Sequence, residues 1–258
     1  YPVAGGIARS VVNYTAGART GLASLITASL IALTVLMLTP LFYYLPSAVL
    51  AAIIVVAIAK LINFSALVHA WHYSRADALA IIITFVAVLV WTVEDGILLG
   101  VSASLVLYLW RTSRPHIAVL GQIGDTEHYR NILRHETTTH PSILVVRVDE
   151  SLYFPNAQYL ESFLVDCITD HPQVRHLVLV CSAVNYIDTS ALESLEALVK
   201  DINLAGVEFY LAEVKGPIMD RLEKIGFVDE LGRDHIFIST HIAVQSLLAR
   251  IDADESAI

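Results

Sequence analysis

From Gly21 to Ala59 the chain carries no Asp, Glu, Lys or Arg, a run of 39 residues. A helix needs ~20 apolar residues to cross the ~30 Å hydrocarbon layer of a bilayer, so the run has length for two crossings. Pro40 and Pro46 divide it, with Phe42, Tyr43 and Tyr44 between them. Proline breaks a helix and tyrosine favours the headgroup layer, which predicts a turn at a membrane interface. Two more uncharged runs follow, Ala78–Val93 and Gly96–Trp110. The predicted spans are therefore 21–39, 46–60, 77–93 and 96–111.

Alternating direction through these spans puts Arg19, Lys60, Arg75, Arg111 and Arg114 on one face of the membrane. Glu94, Asp95 and the Tyr43-Tyr44 turn fall on the other. By the positive-inside rule the basic face is cytoplasmic. Lys60 and Arg75 read as interface anchors, and Asp77 as a cap for the following helix. Glu94-Asp95 reads as an external turn with an N-terminal acid rather than a proton relay. His69 and His72 stand three apart beside Trp71 and Tyr73. A metal needs more ligands than these, so an amphipathic interfacial linker is the better reading.

Composition separates the rest of the chain from these spans. Of 258 residues 56% are hydrophobic, too many for an ordinary soluble protein. Residues 1–112 hold five Lys/Arg and three acids, and residues 113–258 hold eleven and twenty-two. The first part is thus +2 and the second −11, which predicts a membrane part followed by an acidic soluble part. An acidic soluble half argues against nucleic acid as a partner, which needs a basic face. Cys167 and Cys181 fall at apolar positions of the soluble part and read as small core residues in a reducing compartment. The chain begins at Tyr1, with neither a methionine nor a charged leader, which suggests a fragment lacking its N-terminal part.

In the soluble part, residues 117–123 (IAVLGQI) read as an edge strand, followed by a polar stretch to Pro141. Residues 143–149 (ILVVRVD) read as a buried strand followed by a hairpin-like LYF. Apolar positions Ala157, Leu160, Leu164, Cys167 and Ile168 share one face of a helix over 156–170. Residues 176–184 form a second buried strand. A helix over 190–203 is stopped by Gly206. Strands at 207–214 and 236–238 enclose a short helix opened by Pro217, and a last helix runs through Ile251. This alternation predicts a mostly parallel, helix-covered sheet.

Two stretches invite a functional reading. Arg9 stands alone in GGIARSVVN, ten residues before Arg19. A helix between them rises ~15 Å, half the hydrocarbon thickness. With Arg19 at the cytoplasmic surface, Arg9 lies near the midplane, where an arginine costs about 2.5–3.5 kcal/mol even on the lenient insertion scale. It then requires an anion or a wet cavity, and the free N–H groups of a half-helix would serve the same ligand. Alternatively, residues 1–8 form a surface loop and Arg9 snorkels. The second stretch is Asp188-Thr189-Ser190, where strand turns into helix. It reads as a helix cap, as a phosphorylation switch at Ser190, or as a docking loop. There is no G-x-S-x-G, no Gly-rich phosphate loop and no Cys/His pair placed for attack, so neither an enzyme nor a cofactor is expected.

These residues together resemble the C-terminal part of a SulP (SLC26-type) anion transporter ending in a STAS domain. ARSVVNYTAGART is similar to the start of the family's transmembrane segment 10. LTPLFYYLPSAVLAAII is similar to its run through segments 11 and 12. RPHIAVLGQIGDTEHYR resembles the entry into the STAS domain, and LYFPNAQYL with VNYIDTSALESL its inner strand and signature loop. The fold class implied is a membrane all-α part, a portion of a 7+7 inverted-repeat transporter, over residues 1–112, then a soluble α/β STAS domain over 113–258. The implied activity is alternating-access transport of a small inorganic anion, with sulfate and bicarbonate as the main candidates, or of a small carboxylate, across the cytoplasmic membrane. The anion would sit between the half-helices of segments 3 and 10, with Na⁺ or H⁺ as coupling ion. The resemblance further implies a homodimer and contact with a cytoplasmic regulatory protein through the STAS domain. Arg9 matches the family arginine. Ala8 replaces a substrate-contacting serine, leaving the backbone at residues 8–10 and Ser10 to assist. Ser190 matches the phosphorylatable serine of small STAS antagonists, with Ala191 in place of the next glycine. The alternative function is a membrane-tethered STAS regulatory module without transport of its own.

Overall fold

The computed structural model describes residues 14, 16–42, 46–59 and 63–255. The chain divides into two compact units, residues 1–75 and 76–258.

The first unit holds helices α1 (Leu22–Phe42), α2 (Ser47–Ala59) and α3 (Phe64–Tyr73). α1 is apolar all round, with hydroxyls at Thr27, Ser29, Thr34 and Thr39. Each donates to the carbonyl four residues back, which removes an unpaired donor from an apolar setting. α1 runs through Pro40 to Phe42 rather than stopping at residue 39. Proline forfeits an N–H bond at one turn and bends a helix there without having to end it. Tyr43 and Tyr44 lie outside the described residues. Asn63 caps α3 through Ala66 N (3.3 Å). Ahead of α1 the chain turns on Gly17, at a φ of 84° that side chains disfavour. Gly17 N donates to Tyr14 O at 3.0 Å. The predicted Arg9–Arg19 helix therefore does not reach Arg19.

The second unit opens with an apolar pair, α4 (Arg75–Val90) and α5 (Val93–Thr112). Thr92 caps α5 through Asp95 N (3.2 Å). Glu94 and Asp95 thus occupy a first helical turn, where negative charge is favoured. Asp77 likewise lies within the first turn of α4. The pair packs through Gly96 and Gly100. A Cβ at Gly96 would lie 2.7 Å from Val88 N, and one at Gly100 would collide with the Thr84 hydroxyl. This is the small-xxx-small spacing of close membrane helices. Among the described residues, α1 over Leu22–Pro40 and α5 are long and apolar enough to cross a bilayer. α2 and α4 have 13 and 16 residues, so they rise ~20 and ~24 Å.

The α/β part follows: β1 (Ile117–Gln122), β2 (Tyr129–Asn131), β3 (Ile143–Val148), α6 (Phe154–Asp170), β4 (His176–Val180), α7 (Thr189–Leu204), β5 (Glu208–Ala212), α8 (Gly216–Lys224), α9 (Phe227–Leu231), β6 (Ile236–Phe237) and α10 (Thr240–Glu255). The sheet order is β2-β1-β3-β4-β5-β6. β3 to β6 run parallel, and β1 is antiparallel to both β2 and β3. In register, Val146–Leu179–Leu211 face α6, α7 and α8, while Val145–Val178–Tyr210 face α10. Both faces are covered, which is why the central strands read as unbroken apolar runs.

Two expectations change here. β1 is an interior strand, and the edge is β2, drawn from the polar stretch to which no strand was assigned. The hairpin turns at Gly124, and of β2 only Tyr129 is buried. One buried position in three residues leaves no period to read. LYF is no hairpin either. Leu152 makes a parallel bridge to Ile187, and Phe154 already starts α6.

Candidate functional site

Ala8, Arg9 and Ser10 lie outside the described residues. The Asp188 loop is described in full.

The loops after β3 and β4 meet at the C-terminal edge of the parallel strands, where helix N-termini converge. Leu152 N donates to Tyr186 O (2.9 Å), and Asp188 N donates to Leu152 O (3.1 Å). Asn185 N donates to Ser151 Oγ (3.1 Å). Asn156, fully buried, accepts from Tyr153 N at 2.9 Å and donates to Ser151 O at 2.9 Å. The Tyr153 and Tyr186 rings stack with centroids 5.8 Å apart.

Asp188 fastens both helices to this knot. Its Oδ1 accepts from Ala191 N of α7 at 2.8 Å. Its Oδ2 accepts from Phe154 N of α6 at 2.9 Å. One carboxylate therefore satisfies an orphan donor at the start of two helices, where negative charge is favoured. Of the three readings of this loop, the capping role of Asp188 is visible in the geometry. Thr189 and Ser190 are exposed at the first two positions of α7.

Beside the loop runs a groove of about 320 Å³ between α7 and α8, lined by Tyr186, Asp188, Thr189, Leu192, Arg221 and Ile225. The Arg221 guanidinium lies over the Tyr186 ring, 4.8 Å from its centroid. Lys215 donates to Asn185 Oδ1 at 2.6 Å. Cations thus gather at one edge of an acidic domain, around exposed hydroxyls. The arrangement suits recognition of an acidic or phosphorylated group and presents no nucleophile with its base. Cys181, at the start of the β4 loop, is in the core, and burial with Glu213 nearby pushes its thiol up to about 12. Cys167 packs against the same core. Neither cysteine is in a disulfide. Among the described residues no group of three or more His, Cys, Asp or Glu is placed to hold a metal. Sequence reasoning missed Ser151, Asn156, Lys215 and Arg221. For Asn156 a signal existed, since Pro155 marks a helix start and an asparagine there is a capping type.

Long apolar helices followed by a helix-covered, mostly parallel sheet define a membrane-type helical part with an α/β domain after it. The sequence profile of the sulfate permease family matches residues 1–84, and that of the STAS domain matches residues 134–243. The chain is 34% identical over 254 residues to "High affinity sulfate transporter 2" of Stylosanthes hamata, covering 95% of this chain and 38% of that protein. It is 35% identical over 256 residues to "Sulfate transporter 1.3" of Arabidopsis thaliana, covering 95% and 39%. The fold matches a structure of SLC26A9 with a TM-score of 0.80 at 22% identity, over 97% of this chain and 42% of that one. A murine SLC26A9 anion transporter in the inward-facing state matches at 0.78 and 23%, over 95% and 40%. The chain belongs to the SulP/SLC26 sulfate permease family, with membrane helices followed by a STAS domain. It spans about two fifths of the length of these relatives.

Proposed function

We propose that this chain serves as part of a secondary transporter that moves sulfate across the cytoplasmic membrane by alternating access. The observation that carries this is the match to relatives named sulfate transporters along 95% of the chain. Residues 1–112 belong to the transport domain, and residues 113–258 form the STAS domain on the cytoplasmic side. Arg9 supplies positive charge at the substrate, and the backbone N–H groups at Ala8, Arg9 and Ser10 supply directed donors. A dianion offsets the cost of an arginine held in the membrane, and the arginine offsets the desolvation of the anion. The protein works as a homodimer, with Na⁺ or H⁺ as coupling ion.

The test is uptake of radiolabelled sulfate by the full-length protein in liposomes, with bicarbonate as competitor. Arg9→Ala is expected to lower uptake at limiting sulfate at least tenfold. Equal uptake by both proteins removes Arg9 from the site, and competition by bicarbonate at equal concentration replaces sulfate by a broader substrate class.

A second reading assigns the STAS domain a regulatory role through Asp188, Thr189 and Ser190. It is supported by the exposure of both hydroxyls beside the Arg221 groove. Phosphate on Ser190 would sit at a helix N-terminus within the reach of cations. Ser190→Glu is expected to change sulfate flux without changing the preference for sulfate. Unchanged flux sinks this reading.

A further inference from the structure

The C-terminal edge of the parallel strands is also the edge at which the sheet meets the last apolar helix. α5 ends at Thr112 and β1 begins at Ile117. The four residues between them span at most ~14 Å. In register, Ile117 stands opposite Val148 at the end of β3, and Asp149 N donates to His116 O at 3.0 Å. β1 therefore leads away from α5, and β3 leads back towards it. The chain reverses between Asp149 and Phe154. β4 runs parallel to β3, so its loop over residues 181–188 reverses at the same edge. α5 touches α6 within the same compact unit.

The end of α5 marks the level of the membrane surface. Trp110 is exposed there, and the Arg114 guanidinium lies over its ring, 4.9 Å from the centroid. Tryptophan beside arginine is the composition of a headgroup layer. The reversal of the chain presents side chains of the same kind. Phe154 is 68% exposed, and Tyr153 and Tyr186 are exposed in their stack. Rings grouped at one exposed turn form an apolar patch, and such a patch marks a surface of contact. The Arg221 guanidinium covers the Tyr186 ring. Two carboxylates of this edge are already engaged, Asp149 by Arg147 and His116, and Asp188 by two backbone N–H groups.

The short connection to α5 decides what this patch meets. A bilayer has ~5–8 Å of headgroups on each side of its hydrocarbon. A tether of at most ~14 Å, with the turn projecting back from it, brings Phe154 within reach of that layer. We propose that the turn carrying Tyr153, Phe154 and Tyr186 rests on the phospholipid headgroup layer around the end of α5, with Phe154 inserted and the Arg221 guanidinium on lipid phosphate. Guanidinium and phosphate pair through parallel N–H···O bonds, and amphipathic rings favour the interface. The contact holds the Asp188 loop against the membrane surface. It rests on α5 crossing the bilayer and stands whatever anion the transporter carries.

The experiment puts 4-trifluoromethylphenylalanine in place of Phe154, or of Leu204 as the control, in the full-length protein in nanodiscs of phosphatidylcholine and phosphatidylglycerol. Leu204 is 86% exposed and ends the 16-residue α7, so it lies ~24 Å from the edge where that helix begins. ¹⁹F relaxation is read with two paramagnets, a lipid carrying a headgroup nitroxide and a soluble gadolinium chelate. The nitroxide is expected to relax position 154 at least about tenfold more than position 204, as that separation requires. The chelate is expected to reverse the order. Arg221→Gln is expected to lower the nitroxide effect at position 154 by about twofold or more, through loss of one charge-assisted pair, with circular dichroism unchanged. Equal nitroxide effects at the two positions overturn the contact. Shielding of position 154 from both paramagnets overturns it too, and shows that protein covers the turn. A nitroxide effect that Arg221→Gln leaves unchanged overturns the pairing of Arg221 with lipid phosphate.

Discussion

Replacing Asp188 by alanine removes two hydrogen-bond acceptors at once, at Ala191 N (2.8 Å) and Phe154 N (2.9 Å). Loss of an aspartate cap typically costs ~1 kcal/mol. The second bond, also to a charged acceptor, is worth a similar amount once the half-buried position is discounted for water that can replace it. The expected local destabilisation is therefore about 2 kcal/mol, or roughly thirtyfold in an opening equilibrium. Hydrogen–deuterium exchange on the full chain reads this directly, in peptides covering residues 151–158 and 187–194. In Asp188→Ala both peptides should lose protection together, although Phe154 stands 34 residues from Asp188 in sequence. Asp188→Ser separates them. A serine oxygen can still cap α7 but cannot span to Phe154. The α7 peptide should then stay within about twofold of wild type, while the α6 peptide exchanges about fivefold faster. If Asp188→Ala affects only the α7 peptide, the aspartate is an ordinary cap and the coupling of the two loops is refuted.

Two further predictions concern the membrane pair and the entry to the sheet. Gly96→Ala would push a methyl against the Val88 backbone and should destabilise the α4–α5 pair by about 1–3 kcal/mol. Gly100→Ala meets the Thr84 side chain instead, so Thr84→Ala should partly rescue it and should not rescue Gly96→Ala. Thermal midpoints in detergent test this, and equal rescue of both would contradict it. Burial raises the Asp149 carboxyl, but Arg147 and His116 outweigh it, with contacts of 2.5 Å and 2.6 Å, and the pKa is lowered. A lowered folded pKa stabilises the fold above the ordinary carboxylate value of ~3.9, and that stability is lost as pH falls through the folded value. Asp149→Asn should therefore cost about 1 kcal/mol at pH 7. The gap should close below about pH 4 in thermal melts over pH 3–7, and a gap independent of pH would rule the ion pairs out.

The uncharged run from Gly21 to Ala59 and the acidic turn at residue 188 were legible without coordinates. An uncharged run is a statement about solvent, and any fold must honour it. The alternation of apolar strands with one-faced helices set the α/β order for the same reason. Arg9, the residue proposed to hold the anion, was legible as chemistry, and its placement lies outside the described residues. Tertiary structure alone decided that β1 is interior, because strand neighbours are chosen by long-range pairing and not by local pattern. It alone brought Phe154 to Asp188 and Arg221 to Tyr186. Periodicity says which side of an element faces inward. What that side meets is set by how the chain closes on itself, and contacts between residues tens of positions apart leave no mark in either local sequence.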